Sequence, residues 1–426
     1  TMMIFCGSLP ANLLSGNHYV LINSNNYPEG KEKTKAIDHL LADRTGKMGV
    51  NVIREILKVV AQPGMVSLAG GIPAPESFPL EIIQELTEIV VEKYASGAFQ
   101  YGPTEGFWPL REALSDYLEK RDLHADAAEI LIASGSQGVL DAIGKVLITR
   151  GDRVAVEAPT YLGALQAFTP YEPEYVQMDT DDDGLIPGSL EGVLANGKIK
   201  FIYLVPTFQN PTGRTIPLER RREIADIIKK YNALLVEDDP YGELRYRGRH
   251  IPPIKALAPD NVVYISTLSK VFAPGLRIGF CHAPEQIRKW LVIVKQGIDL
   301  HTSTFNQALA AEYIAGGFLT RHLPKIIDLY RPKQEAMLGA LDTYFPEDFK
   351  WSRPEGGMFL WVEGPEGYDM EDLCWKAVER DVAFVPGKYF YTSQQDGIET
   401  MRLNYTMADG ETIDHSIRIL SEVIQC

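Results

Sequence analysis

Lys270 stands seven residues before Arg277 in Ser266-Thr-Leu-Ser-Lys270-Val-Phe-Ala-Pro-Gly-Leu-Arg277-Ile-Gly, a stretch with the Pro and Gly of a turn. A lysine becomes an imine-forming nucleophile when desolvation or a neighbouring cation lowers its pKa, and the planar fork of an arginine matches the oxygens of a phosphate. An aldehyde cofactor carrying a phosphate, such as pyridoxal phosphate, needs both. A solvated lysine and a surface arginine in a loop would give the same short motif, so the rest of the chain must decide.

Other residues could serve the same chemistry. Ser134-Gly-Ser136-Gln137-Gly138 precedes the apolar-periodic Val139-Leu-Asp-Ala-Ile143, and a helix N-terminus of this composition presents free N–H groups to a phosphate. An ordinary N-cap serine is the plainer reading. Glu237-Asp238-Asp239-Pro240-Tyr241 follows the apolar run Leu234–Val236, where Asp238 could pair with a protonated ring nitrogen and Tyr241 could donate to a ring oxygen. An acidic strand cap or a magnesium site would use the same carboxylates. Asn210, in the turn Asn210-Pro-Thr-Gly213, could reach that ring oxygen too. Tyr161 could stack on a flat ring or simply pack, and Arg402 could clamp a carboxylate bidentately or serve as a salt-bridge partner.

These residues need a frame that brings them together. From Pro79 onward strand and helix patterns alternate, which predicts an α/β fold with a largely parallel sheet. Ile82, Ile83, Leu86, Ile89 and Val90 form one helical stripe, and Ile224, Ile227, Ile228 and Tyr231 form another. Ile130–Ala133, Val154–Val156, Phe201–Val205, Leu234–Val236 and Val262–Ile265 read as buried strands. The candidate residues collect just after these runs, as expected where ligands bind beyond the carboxyl ends of parallel strands. Long helices follow residue 310, then short strands around Met358–Val362 and Met401–Tyr405. The expected organisation is an N-terminal extension over 1–35, a large domain over 79–310, and a small domain built from 311–426 joined by 36–78.

The 426 residues carry a formal net charge of -15, whose field would repel nucleic acid and anionic membranes. Cys6, Cys281, Cys374 and Cys426 lack the spacing of a metal knuckle or the density of a disulfide scaffold, and no metal is expected. With no long apolar run and no basic leader at the first residues, the expected location is the cytoplasm.

Four further motifs complete the pattern: Ile53-Arg54-Glu55-Ile56-Leu57, Ser67-Leu-Ala-Gly-Gly71-Ile-Pro-Ala-Pro, Gln100-Tyr101-Gly-Pro-Thr-Glu-Gly106 and Phe208-Gln-Asn210-Pro-Thr-Gly213. From about Asn51 to the C-terminus the chain resembles the class I, fold-type I pyridoxal-phosphate aminotransferases. It is most similar to the branch containing 2-aminoadipate and kynurenine aminotransferases. The resemblance implies that Lys270 holds pyridoxal 5'-phosphate as an imine and shuttles the substrate's α-proton. It gives the ring nitrogen to Asp238, the ring oxygen to Tyr241 and Asn210, and the ring face to Tyr161. Ser136, Gln137, Thr267, Ser269 and Arg277 would hold the phosphate, with Thr267 standing where the family usually has serine.

Tyr101 would reach the phosphate of a neighbouring subunit's cofactor, which implies a homodimer with shared sites. Arg402 would grip the substrate α-carboxylate beside Gly71. Arg54 would meet the distal carboxylate of an acidic substrate from the expected helix Val52–Val60, the alternative being a surface ion pair with Glu55. Amino acid and 2-oxo acid would exchange an amine in two half-reactions.

Two rivals share this scaffold. Fold and cofactor do not fix which bond breaks, so β-elimination or decarboxylation is one alternative. A regulator that senses the cofactor through an aminotransferase-like domain is the other; it needs a basic DNA-binding module, and the residues before the match show no such cluster.

Overall fold

The computed structural model describes residues 38–48, 64–393 and 395–425. The expected extension over 1–35, the expected helix Val52–Val60 and Arg54 lie outside the described residues. The chain divides into two compact units, Thr1–Thr45 and Gly46–Cys426. The described part of the first carries the short 3-10 helix Asp38–Leu40.

In the second unit the apolar stripe from Ile82 to Val90 lies on α1 (Leu80–Tyr94), with Leu86 and Val90 fully buried. A seven-stranded sheet forms the centre: β1 (Ile130–Ser134), β2 (Arg153–Glu157), β3 (Glu174–Met178), β4 (Phe201–Leu204), β5 (Leu235–Asp239), β6 (Val262–Thr267) and β7 (Ile278–His282). Its order is β1-β7-β6-β5-β4-β2-β3. β7 runs antiparallel to both β1 and β6, and the other strand pairs are parallel.

Both faces of this sheet are covered, which is why its strands read as continuous apolar runs. Successive side chains point to opposite sides. Phe201 and Tyr203 join Val154, Val156 and Val236 in one core, against α2 (Ser136–Leu147) and the short helix Leu162–Phe168. Ile202 and Leu204 join Ala155 and Leu235 in the other, against α3 (Leu218–Lys230), whose Ile224 and Ile228 are fully buried.

The strand after Leu234 continues through Asp239, so Glu237, Asp238 and Asp239 are strand residues and not a turn beyond it. All three are buried. Strands β3 and β7 do not show in the sequence as apolar runs: β3 is a half-exposed edge, and β7 contains Gly279 and His282.

A second, antiparallel sheet has the order β8-β9-β11-β10, formed by β8 (Lys350–Trp351), β9 (Phe359–Glu363), β10 (Val385–Pro386) and β11 (Thr400–Asn404). Leu360, Val362, Met401 and Leu403 of its strands share a core with α4 (Phe318–Tyr344) and α5 (Gly410–Ile424). The segment after Gly64 is tied to this sheet's neighbourhood. Val66–Ser67 pairs parallel with Val382–Ala383, and the Asn404 amide donates to the Leu68 carbonyl at 2.8 Å. That strap holds the backbone of Ala69 to Gly71 in a fixed place.

The loop after β4 is held from below by Arg221 of α3, which is 1% exposed. Its guanidinium donates to the carbonyls of Ile216 (2.9 Å), Pro252 (3.0 Å) and Pro206 (3.0 Å) and to the Thr207 hydroxyl (2.7 Å). Replacing it by methionine leaves these acceptors unsatisfied in the core. Arg221→Met is therefore expected to lower unfolding stability in urea by about 3 kcal/mol. An unchanged unfolding midpoint would show that water takes over the carbonyls.

Candidate functional site

The parallel strands end along one edge of the large sheet, and β7 begins there because it alone runs the other way. Loops carrying candidate residues from β1, β2, β4, β5, β6 and the start of β7 thus converge on that edge. Lys270 follows β6, and its Nζ donates to the Gly71 carbonyl at 2.8 Å. Burial, reinforced by the positive charges of Arg402 and Arg277, pushes the lysine down from its ordinary value to about 8. Its Nζ lies 6.0 Å from the centre of the Tyr241 ring. A lysine in this setting is partly neutral near physiological pH, as an imine-forming amine must be.

Asp238, at the penultimate position of β5, accepts a hydrogen bond from the Tyr203 hydroxyl at 2.8 Å through Oδ2. Its Oδ1 is buried and has no partner among the described residues. Burial pushes the carboxyl up to about 7, against the Tyr203 hydrogen bond, which favours the charged form. Asp239, next along the strand, points to the other face. There it accepts from the Tyr264 hydroxyl at 2.9 Å and the Gly242 amide at 3.0 Å. The two carboxylates cannot close on one ion, so the magnesium alternative loses its geometry.

Arg402 of β11 is 2% exposed and lies between two rings, its guanidinium carbon 4.4 Å from the centre of Phe359 and 5.0 Å from that of Phe390. One terminal nitrogen donates to Asn210 Oδ1 at 2.8 Å and the other to the Ala69 carbonyl at 2.6 Å. Its Nε is buried without a partner among the described residues. Burial lowers its pKa to about 10. Asn210 in turn sets its amide 3.5 Å from the Tyr241 hydroxyl. One chain of contacts therefore joins Arg402, Asn210, Tyr241 and Lys270. Burial raises both phenols of the site, Tyr161 to about 12 and Tyr241 further. Both remain neutral donors at any working pH.

The phosphate-type residues gather where β1 meets β7. Gly135 has φ of 82°, and a Cβ there would lie 2.3 Å from an Arg277 nitrogen. Only glycine allows both the left-handed turn and the arginine's approach. Arg277 donates to the Ser134 carbonyl at 3.3 Å, and Ser136 opens α2, whose first amides lack intrahelical partners. The Thr267 hydroxyl donates to the Ile278 carbonyl at 2.9 Å and lies 2.9 Å from the Ser269 hydroxyl. Gln137 is engaged with the Gly163 carbonyl at 2.7 Å, beneath the Tyr161 ring that would collide with any side chain at Gly163.

Tyr101 stands apart. It is 79% exposed, and its ring meets His301 edge-on with centres 5.7 Å apart.

Residues 65–420 match the family described as Aminotransferase class I and II. The chain belongs to that family. It is 47% identical over 407 residues to aromatic-amino-acid aminotransferase 1 of Thermococcus litoralis, a match spanning 93% of this chain and 97% of that one. A crystal structure of Pyrococcus horikoshii kynurenine aminotransferase in complex with PMP superposes with a TM-score of 0.88 at 44% identity, covering 92% of this chain and 98% of that one. The alpha-aminoadipate aminotransferase of Thermus thermophilus, complexed with N-(5'-phosphopyridoxyl)-L-leucine, superposes with a TM-score of 0.84 at 38% identity, covering 91% and 97% respectively.

The fold is that of the fold-type I aminotransferases, and the cofactor of the enzyme is pyridoxal 5'-phosphate. The donor set fits that group. The free oxygen of Asp238 suits a protonated ring nitrogen, the phenols suit a ring oxygen, and the Gly135 to Arg277 cradle suits a phosphate. Among the described residues no helix is long and apolar enough to cross a membrane.

Tyr203, Phe359, Phe390 and the Ala69 carbonyl support the aminotransferase's site and were not read from the sequence. Tyr203 did carry a signal. A tyrosine in the middle of a fully buried strand must find a partner for its hydroxyl. The rings around Arg402 carried none, since Phe359 is distant in sequence and Phe390 is on no strand.

The pH at which Lys270 reacts tests the site's electrostatics. In cofactor-free protein, reductive alkylation of Lys270 by a small aldehyde, followed by mass spectrometry, should rise with pH to half its maximum near 8. Surface lysines should not reach theirs until near their ordinary value of about 10.5. The sign follows from the neutral amine being the reactive form. Arg402→Gln removes a neighbouring cation and should move the midpoint upward.

Proposed function

We propose that this aminotransferase takes the amino group of an aromatic, 2-aminoadipate-type or branched-chain L-amino acid and delivers it to a 2-oxo acid such as 2-oxoglutarate, in a ping-pong sequence. The observation that carries the reading is the junction of Lys270, Asp238, Tyr241, Asn210 and Arg402 at one edge of the sheet. The substrate classes rest on the aromatic-amino-acid, kynurenine and alpha-aminoadipate aminotransferases to which the chain is similar.

Pyridoxal 5'-phosphate, when bound, supplies a carbonyl carbon for the amine and an electron sink for the α-carbon. The chain's residues do the rest. Asp238 keeps the ring nitrogen protonated, Tyr241 and Asn210 hold the ring oxygen, and Tyr161 covers the ring face. Ser136, Gln137, Thr267, Ser269 and Arg277 hold the phosphate. Arg402, wedged between two rings, fixes the substrate α-carboxylate beside Gly71 so that the α-hydrogen, and not the carboxylate, faces the Lys270 amine. Lys270 Nζ, partly freed of its own proton, would then take the α-proton and hold it for return. That orientation favours transamination over decarboxylation. Arg54 is proposed to meet the distal carboxylate of acidic donors.

Two further parts of the proposal concern context. The exposed Tyr101 is proposed to serve the phosphate of a second subunit, which makes the enzyme a homodimer with shared sites. A cytoplasmic location is proposed on the buried, unpaired Cys281 and Cys374, which fit a reducing compartment.

A panel of donors against 2-oxoglutarate tests the reaction, with 2-aminoadipate, leucine, phenylalanine, tyrosine, kynurenine and aspartate included. Glutamate and the matching 2-oxo acid should appear in equal amounts, and Lys270→Ala should lose turnover by several orders of magnitude. Release of ammonia or carbon dioxide in place of glutamate would overturn the assignment.

The shared site has its own test. Mixing Tyr101→Phe subunits with Lys270→Ala subunits should give heterodimers in which one site carries both lesions and the other neither, so activity partly returns. No return despite demonstrated subunit exchange would contradict it.

A further inference from the structure

We infer that Tyr203 is a positioning residue for the reaction, which holds Asp238 by one oxygen so that the other is presented, ionised, to the ring nitrogen. The inference rests on the proposed role of Asp238. Tyr203 lies in the middle of β4, fully buried, and its register opposite Val236 of β5 places its phenol diagonally beside Asp238 on the same face of the sheet. The 2.8 Å hydrogen bond takes up Oδ2 and leaves Oδ1 buried without a partner among the described residues.

The groups that share a field with this carboxylate are few. Tyr161 arrives from the loop after β2, Tyr241 from the loop after β5, and Asp239 neighbours it on its own strand. None of these is a cation. Tyr203 is the group that donates to Asp238, so it favours the charged form in a place where burial opposes it. Glu157, at the end of β2, acts on Tyr203 from the far side. It accepts from the Val205 amide at 3.2 Å. The phenol itself is pushed far above its ordinary range by burial, so it stays a donor.

A tyrosine that merely filled the core would lose nothing specific when its hydroxyl is removed, apart from a small loss of stability. A positioning tyrosine would change the proton affinity of Asp238 and, through it, the grip on the cofactor. The test uses the full chain and reads both quantities. In cofactor-free protein, the carboxyl-carbon NMR titration of Asp238, assigned with Asp238→Asn, should have its midpoint raised in Tyr203→Phe by about 1–2 pH units, the scale of one lost charge-assisted hydrogen bond. Near pH 8, affinity for pyridoxal 5'-phosphate should fall roughly tenfold in the same variant. In the Asp238→Asn background the second change should add nothing.

If Asp238→Asn leaves cofactor affinity unchanged, the proposed role of Asp238 fails and this inference falls with it. If Asp238→Asn weakens binding but Tyr203→Phe moves neither midpoint nor affinity, only the role of Tyr203 is overturned. Should Tyr203→Phe fail to fold, Tyr203→3-fluorotyrosine keeps the shape with a more acidic phenol. It should lower the Asp238 midpoint, and an unmoved midpoint would overturn the inference.

Discussion

A carboxylate buried inside a β-sheet is the constraint around which the rest of the site is arranged. Asp238 is surrounded by strands on both sides, and burial raises the free energy of its charged form. Such a group persists where partners stabilise it or where an arriving charge does. Tyr203 supplies one hydrogen bond from the next strand, and the remaining oxygen has no partner among the described residues. The same logic governs Arg402, whose two terminal nitrogens each donate one bond, to Asn210 and Ala69, while its Nε–H stays buried without a partner among the described residues. The site therefore holds an unsatisfied anion and an unsatisfied cation in one place, each suited to a different part of a charged ligand pair. The protein gives up some stability to keep them ready.

The neighbouring acidic residues show how finely this is divided. Glu237, Asp238 and Asp239 are consecutive, buried, and treated in three ways. Glu237 caps the amides of Ile254 and Lys255 at 2.8 and 2.7 Å, and so fastens a short helix to the sheet. Asp239 serves the Tyr264 and Gly242 donors on the opposite face from Asp238. The period of two along a strand turns Asp238 to one face, toward Tyr203, and the acids on either side of it to the other, without any spacing between them.

Much of this was legible before the structure. The strands β1, β2, β4, β5 and β6 announced themselves because burial on both faces demands unbroken apolar runs. The candidate residues announced themselves because they follow those runs. The two strands of the large sheet that stayed hidden had physical reasons to do so. β3 is an edge with one side toward solvent, so its residues are mixed, and β7 must admit Gly279, where a Cβ would lie 2.4 Å from the backbone of Gly135. The carboxylates of β5 read as lying beyond the strand because acids are depleted in strands unless a site needs them. Tyr101 could be named only through resemblance, since its proposed partner is another molecule.

The reversal at β7 has a consequence for how the enzyme can vary. Every other strand of the large sheet is reached through a long crossover, whose length can change without moving the strand ends. Lys270 and Arg277 instead share one continuous link, residues 268–277, between paired neighbours β6 and β7. The distance between the amine and the guanidinium proposed to hold the phosphate is thus set within a single short span of backbone, fastened at both ends by the ladder. A family built on this sheet is free to lengthen its crossovers and to change the residues that judge the substrate. It has almost no freedom to lengthen this link, and that is why an arginine seven positions after a lysine can be read as chemistry.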